Sequence, residues 1–309
     1  MTKNLKLSVS PHIHSSSSTK GIMLDVIIAL LPATIAGAVI FGIRSLLVVA
    51  ICVASCVFFE ALFNLLIKKE QTISDLSAVV TGLLIGLNLS VNIQFWQCVV
   101  GSFIAIIIVK CLFGGIGCNL VNPAITARVF MLVSFGSMAK IALPTIVDTV
   151  SSATPLSSEE TTQPLMELFL GLKGGAIGET CIAALLIGFV YLLVRRVITW
   201  HIPVTFIGTV YICSFLMEGL NATQALAMIL SGGLFIGAVF MATDYVTSPS
   251  TPLGKVVFGV GAGLLTFVIR YFGVYPEGVS FAILFMNILT PYLERWTKHK
   301  VLLAGGKHS

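Results

Sequence analysis

The chain has 309 residues, of which 57% are hydrophobic and only 10% are charged, and its formal net charge is +5. Its mean hydropathy of +1.02 excludes a soluble domain of this length, because so apolar a chain cannot cover its surface with polar groups. The composition predicts an integral membrane protein that is surrounded by lipid and has no nucleic acid among its partners.

Ten apolar runs follow one another between short polar breaks, and a helix needs about 20 mostly apolar residues to cross the hydrocarbon core. The runs cover residues 22–43, 45–67, 76–91, 93–113, 122–138, 174–194, 202–218, 222–243, 256–271 and 279–296. Runs 76–91 and 122–138 are short and interrupted by Gly or Asn, so we expect half-helices or re-entrant segments there. The predicted fold is an all-α integral membrane protein with about ten transmembrane helices, some short or broken.

The order of the runs indicates two halves of five helices each. An odd number of spans in each half means that the second half is inverted relative to the first, and inverted repeats place a binding site or gated path between them. The predicted parts are a cytoplasmic segment 1–21, a first repeat 22–138, an outer loop 139–173, a second repeat 174–296 and a tail 297–309. The alternative is that the small residues of the third run in each half only allow close helix packing.

The Lys and Arg residues predict the orientation, because cytoplasmic loops carry an excess of them. No signal peptide is evident, since residues 1–21 are polar and the first apolar run lacks a cleavage site. With a cytoplasmic amino terminus, 14 of the 18 Lys and Arg residues fall inside and 4 outside. We therefore predict a multi-pass inner-membrane protein with both termini cytoplasmic and loop 139–173 extracytoplasmic.

A glycine-rich segment, KCLFGGIGCNLVNPAITAR, connects the fourth and fifth runs. Its glycines permit positive φ and close backbone approach, and Asn122-Pro123 suits the start of a helix, whose amino end is electropositive. A phosphate or a flavin ring could bind there, with Asn119, Asn122 and Arg128 as candidate lining. The spacing matches neither a dinucleotide fold nor a P-loop, so a plain turn is the alternative.

Two acidic residues are candidates for an ion path, because a carboxylate at membrane depth is functional by default. Asp244 has hydroxyl residues on both sides in sequence, Thr243, Thr247 and Ser248, which could help to hold a cation, whereas Glu60 is flanked by Phe and Leu. We expect Asp244 to serve the path and treat Glu60 as the weaker candidate, or as the partner of another span. Asp25 and Glu179 lie near span ends and are expected to reach toward the interface.

The outer loop contains the stretch DTVSSATP, Asp148 to Pro155, in an otherwise apolar chain. It is similar to the flavin-attachment signature D-x-x-[ST]-[GS]-A-T, in which a flavin transferase moves FMN from FAD onto the final threonine. The resemblance implies a phosphoester between FMN and Thr154, with Asp148, Ser151, Ser152 and Ala153 as the attachment motif. Ser152 stands where the signature more often has Gly. Without the resemblance, this loop would be a solvated linker.

Three further motifs, SPHIHSSSSTKGIMLDVIIALLPA, FGGIGCNLVNPAITARVF and FMATDYVTSP, occur in the same order as in one family. Over residues 8–296 the chain resembles the D-type membrane component of Rnf ion-translocating oxidoreductases and its B-type homologue in sodium-translocating NADH:quinone oxidoreductases. The resemblance implies a subunit that is not catalytic alone. It would carry electrons between ferredoxin and NAD through covalent FMN and couple this electron transfer to the movement of Na⁺ or H⁺. Its partners would be the Rnf components A, B, C, E and G and a flavin transferase.

The resemblance leaves open a second, non-covalent flavin such as riboflavin. The span pattern alone would instead suit a secondary transporter or channel, since inverted repeats and buried glycines are common in both.

Overall fold

A computed structural model of the chain describes residues 18–135, 165–273 and 278–305, with side chains up to residue 298. These residues form helices α1 Thr19–Phe41, α2 Ile43–Ile67, α3 Ser77–Leu87, α4 Phe95–Phe103, α5 Pro123–Ser134, α6 Leu165–Leu170, α7 Ile182–Val194, α8 His201–Met217, α9 Ala222–Leu230, α10 Leu234–Ile236, α11 Pro252–Phe272 and α12 Gly278–Gly305. Two helices continue in π-helical geometry, α4 through Ile104–Cys111 and α10 through Gly237–Met241.

The helices confirm the all-α membrane architecture. Among the described residues, α1, α2 and α11 are long and apolar enough to cross a membrane, and α9 with the α10 segment would form a fourth span bent by 67°. Five further apolar helices have 10–17 residues. The count of ten spans and the inverted repeats stay predictions.

The third apolar run forms a short helix that packs closely against α2. At 11 residues, α3 is about 16 Å long, roughly half the hydrocarbon thickness. A Cβ added at Gly82 or Gly86 would lie 2.6 or 2.8 Å from the Cα of Val53 or Val49 on α2. The glycines therefore allow the two backbones to touch, as close packing of small residues requires.

The glycine-rich connection before α5 has the expected conformation. Gly114, Gly115 and Gly117 have φ of 119°, 101° and 89°, values that other residues rarely adopt. Asn122 is the N-cap of α5 and its side chain accepts hydrogen bonds from the N–H groups of Ala124 and Ile125. The electropositive end of α5 is thus capped by the chain itself and is less available to an anion.

Several charged side chains are more buried than the sequence predicts. Asp25 accepts hydrogen bonds from Tyr191 and from Arg195, whose side chain is exposed. The side chain of Glu179, by contrast, is only 3% exposed. The expectation that Glu179 reaches toward the interface is therefore wrong. Three of the 18 Lys and Arg residues are also buried, namely Lys110, Arg128 and Lys173. When these three are left out of the count, 12 Lys and Arg residues lie on the predicted inner side and 3 on the outer side. The predicted orientation is unchanged.

Candidate functional site

A cavity of about 100 Å³ lies where the two halves meet at one end of the helix bundle. Its walls come from the starts of α1 and α3, the connection before α5, the end of α7 and the chain after α10. The polar side chains that line it are Ser77, Thr81, Lys110, Asn119, Asn122, Thr243, Asp244 and Tyr245. The usual volume of a ligand pocket is about 300–1,000 Å³, so this cavity has room for water or an ion, and a flavin ring would require its walls to move.

Asp244 contributes a carboxylate to this cavity just after the π-helical segment ends. Thr247 donates its hydroxyl to Asp244 Oδ2 at 3.2 Å, and the Val246 N–H points to Oδ1 at 3.5 Å. The hydroxyl of Thr243 instead donates to Val239 O. Burial raises the pKa of the Asp244 carboxyl, while the Val246 and Thr247 hydrogen bonds oppose that rise.

Glu60 forms a buried ion pair with Lys110, the cation that lines the same cavity. The Lys110 ammonium lies 2.9 Å from both carboxylate oxygens of Glu60 and 2.6 Å from Ser77 Oγ. Thr72 donates its hydroxyl to Glu60 Oε1 at 2.8 Å. Glu60 has no polar neighbour in sequence, but the fold brings Thr72 and Lys110 to its carboxylate. Glu60 is thus the ion-pair partner of the helix that carries Lys110.

A second polar cluster lies where α3 ends. Arg128 on α5 donates to Asn88 Oδ1 and forms an ion pair of 3.4 Å with Glu179. Glu179 also accepts the Ala176 N–H at 2.9 Å. The segment before it pairs with the end of α3 through the bond from Gly178 N–H to Leu87 O at 2.7 Å. These contacts join the α3 end, α5 and the segment before α7 into one network.

The break between α9 and α10 adjoins this network. Arg270 donates to the carbonyl oxygens of Met228 and Ser231 at 2.9 and 3.2 Å, and Lys173 donates to Leu230 O. Two cations therefore satisfy carbonyls at the end of α9, which carry partial negative charge and have no donor within their own helix. This arrangement is how a broken helix persists at membrane depth.

The sequence-predicted site residues fall into four groups. Asn119, Asn122 and Asp244 line the cavity between the halves, whereas Arg128 is absent from its lining and contacts Asn88 and Glu179. Glu60 lies behind the cavity wall, bonded to Lys110. The attachment motif, Asp148, Ser151, Ser152, Ala153 and Thr154, lies outside the described residues.

Sequence reasoning missed the roles of Lys110, Lys173 and Arg270. A signal was available for Lys110, because it falls inside the fourth apolar run, just as Glu60 falls inside the second. Two opposite single charges in neighbouring spans favour pairing with each other. Lys173 lies outside the apolar runs, and Arg270 falls inside run 256–271. The acceptors of both are backbone carbonyls, which no sequence pattern marks.

Comparison with known proteins supplies the identity of the family. A model described as "NQR2, RnfD, RnfE family" matches residues 6–302. The chain belongs to this family. It is 46% identical to a protein of Acetobacterium woodii, and the match covers 96% of this chain and 95% of the relative. That relative is named as the D component of a Na(+)-translocating ferredoxin:NAD(+) oxidoreductase complex.

Two further relatives agree on the component and differ in the ion. A protein of Clostridium ljungdahlii, 38% identical with 94% of each chain covered, is named as the D component of a proton-translocating ferredoxin:NAD(+) oxidoreductase complex. One of Actinobacillus succinogenes, 35% identical with 96% of this chain and 97% of the relative covered, is named as the D component of an ion-translocating oxidoreductase complex. The resemblance to the D component of Rnf complexes is confirmed, while the transported ion differs between relatives.

Proposed function

We propose that the chain is the D-type membrane subunit of an ion-translocating ferredoxin:NAD oxidoreductase and carries electrons through FMN bound covalently to Thr154. The observation that carries this proposal is the family match over residues 6–302, together with relatives named as the D component at near-complete coverage. The subunit would not be catalytic alone. Its partners would be the Rnf components A, B, C, E and G and, during maturation, a flavin transferase.

The chemistry of the attachment motif fits FMN. Formation of the phosphoester requires a hydroxyl that can attack phosphorus, which Thr154 supplies, and small neighbours such as Ser152 and Ala153 leave room for the transferase. Bound FMN would supply an electron carrier at the membrane surface. The chain's own contribution would be to present that hydroxyl within the segment 139–173, whose sequence predicts an outer loop.

The intact mass of the subunit, purified from the whole complex, tests this proposal. The expected result is one added FMN phosphoester, found by peptide mapping in the segment 139–173. A subunit of unmodified mass, from cells that also contain the transferase, would contradict the proposal. Such a result would leave the alternative of a secondary transporter or channel, which would show no in-gel flavin fluorescence after denaturation.

We also propose that the two halves are inverted repeats with the cavity on their interface. The segments GLLIG at 82–86 and GLFIG at 233–237 lie in α3 and at the start of α10, the third run of each half. The first helices of the two halves, α1 and α7, contact each other. Such interfaces hold ion or substrate sites. A second, non-covalent flavin such as riboflavin remains a proposal that requires the cavity to widen.

We expect Asp244→Asn to lower the number of ions moved per electron transferred, because Asp244 is the carboxylate that lines the cavity. The measurement is ion uptake by vesicles that hold the whole complex, alongside the electron-transfer rate. The control is Glu294→Gln, which removes a carboxylate that is absent from the cavity lining and bonds Ser250 and Lys298. An unchanged ratio in Asp244→Asn would place the path in partner subunits.

The charge distribution predicts that loop 139–173 is extracytoplasmic, which can be measured with thiol labelling. In a background without the native cysteines, Ser158→Cys should react with a membrane-impermeant reagent on intact cells. Gln71→Cys, an exposed position on the predicted inner side, should react only after lysis. The reverse pattern would overturn the orientation and the outer location of the transferase reaction.

A further inference from the structure

A second cavity, of about 260 Å³, lies beside the end of α7, the start of α8 and the start of α11. Two cations line it, Arg196 and Lys255. The hydroxyl residues of its lining are Thr199, Thr243, Tyr245, Ser248 and Ser250. Among the described residues, its lining has no carboxylate. Glu294 bonds the Ser250 N–H from outside the lining and is itself paired with Lys298.

Arg196 occupies a backbone position that normally belongs to glycine. The end of α7 has a hydrogen bond from Val197 N–H to Leu192 O at 2.9 Å and one from Arg196 N–H to Leu193 O at 3.0 Å. These bonds define a Schellman motif in which the residue after the C-cap is left-handed. That residue is Arg196, with φ of 56°, so an arginine stands where glycine would be unstrained.

The strain at Arg196 is not explained by the charge of the helix end. A cation is stabilised at the negative end of a helix. Arg195, one residue earlier, already places a cation at the end of α7 without a positive φ. Residues held in sparsely populated backbone conformations cluster at ligand sites. The cavity that Arg196 lines supplies such a site.

Lys255 also lies at an unfavourable position. It is in the first turn of α11, after N-cap Thr251 and Pro252, where the helix dipole repels a cation. Its ammonium is held by Thr199 Oγ1 at 3.1 Å. In addition, the N-cap of α8, Trp200, makes no side-chain capping bond. Two cationic side chains and the amino ends of α8 and α11 therefore border this cavity.

We propose that this cavity binds the phosphate of an anionic phospholipid. An anion would offset the repulsion between two cations and two helix amino ends. The cavity lies at the end of the bundle that is predicted to be cytoplasmic, where basic pockets between membrane helices bind anionic headgroups. Trp200 and Tyr245 beside it are 55% and 57% exposed, as is typical of aromatic residues at the bilayer interface. A lipid can reach such a site laterally from the membrane.

The test is native mass spectrometry of the purified complex, counting lipids that stay on this subunit after equal additions of phosphatidylglycerol and phosphatidylcholine. Each basic side chain near an anionic headgroup favours binding about fivefold, so the pair should favour phosphatidylglycerol about 25-fold. Arg196→Gly and Lys255→Gln should each reduce that preference about fivefold. Lys298→Gln, which removes an exposed cation outside the cavity, should leave it unchanged.

Stability separates loss of binding from loss of folding. Glycine relieves the positive φ at position 196, so Arg196→Gly should keep or raise the thermal midpoint without lipid while it loses phosphatidylglycerol. Equal retention of the two lipids by the wild type would overturn the proposal, as would full retention by the double variant Arg196→Gly/Lys255→Gln. Displacement of phosphatidylglycerol by millimolar inorganic phosphate would also overturn it, in favour of a soluble anion.

Discussion

Thr154→Ala is expected to remove covalent flavin from the subunit completely while the protein remains in the membrane. The phosphoester needs the side-chain oxygen, and alanine has none. The sequence predicts a polar outer loop at this position, where a substitution usually changes the free energy of unfolding by less than about 0.5 kcal/mol. The measurements are in-gel flavin fluorescence after denaturation and the amount of subunit in purified membranes.

Thr154→Ser is the matched control, because it keeps a hydroxyl at the same position and should retain part of the flavin. Ser151→Ala tests whether a neighbouring hydroxyl is the acceptor instead, and it should leave the fluorescence in place. A Thr154→Ala subunit that still fluoresces would contradict the assignment of Thr154. Loss of the protein from the membrane together with the flavin would contradict a role restricted to attachment.

Breaking the Glu60–Lys110 ion pair from one side is expected to destabilise the protein by about 3–5 kcal/mol, because it leaves an unpaired charge in an apolar interior. Both residues are only 2% exposed. Glu60→Leu or Lys110→Met alone should therefore lower the thermal midpoint of the purified subunit and its amount in the membrane. Glu294→Gln, which breaks the exposed pair with Lys298, should change the free energy of unfolding by less than about 1 kcal/mol.

The double variant Glu60→Leu/Lys110→Met distinguishes a structural pair from an ion path. Replacing both members of a buried pair by apolar residues is often close to neutral, and Ser77 keeps Asp75 as an acceptor for its hydroxyl. We expect most of the stability to return. If the stable double variant keeps electron transfer but loses ion uptake, the pair takes part in translocation and Glu60 is more than a packing partner.

The sequence predicted most of the helices because their signals are local, although α6 Leu165–Leu170 falls in the predicted loop 139–173 and α7 begins only at Ile182 of run 174–194. The boundaries of α1 and α2 agree with apolar runs 22–43 and 45–67 within three residues, since length and hydropathy alone decide which segments leave water. The helix start at Asn122-Pro123 was equally predictable from capping chemistry. The bend of 67° after α9 was not predicted, because the expected interruptions were in runs 76–91 and 122–138.

The charged residues were predicted less well because their environment depends on other helices. Glu60 has apolar neighbours in sequence, yet it lies 2.9 Å from the ammonium of Lys110, 50 residues away. Glu179 was expected at the interface, yet Arg128 of another helix holds it in the interior. A single charge in an apolar run indicates that a partner is needed, but it does not identify that partner, because the packing of the helices decides which group is in reach.

The sequence by itself thus determined the membrane class, the positions of most helices and, through its motifs, the resemblance to the family. Each of these follows from hydropathy or from residues adjacent in the chain. Only the tertiary structure decided that Lys110 pairs with Glu60, that Arg270 and Lys173 bind the end of α9, and that Arg196 and Lys255 share a cavity. The physical reason is that burying a charge is tolerable only with a partner, and packing between distant segments determines which partner is in reach.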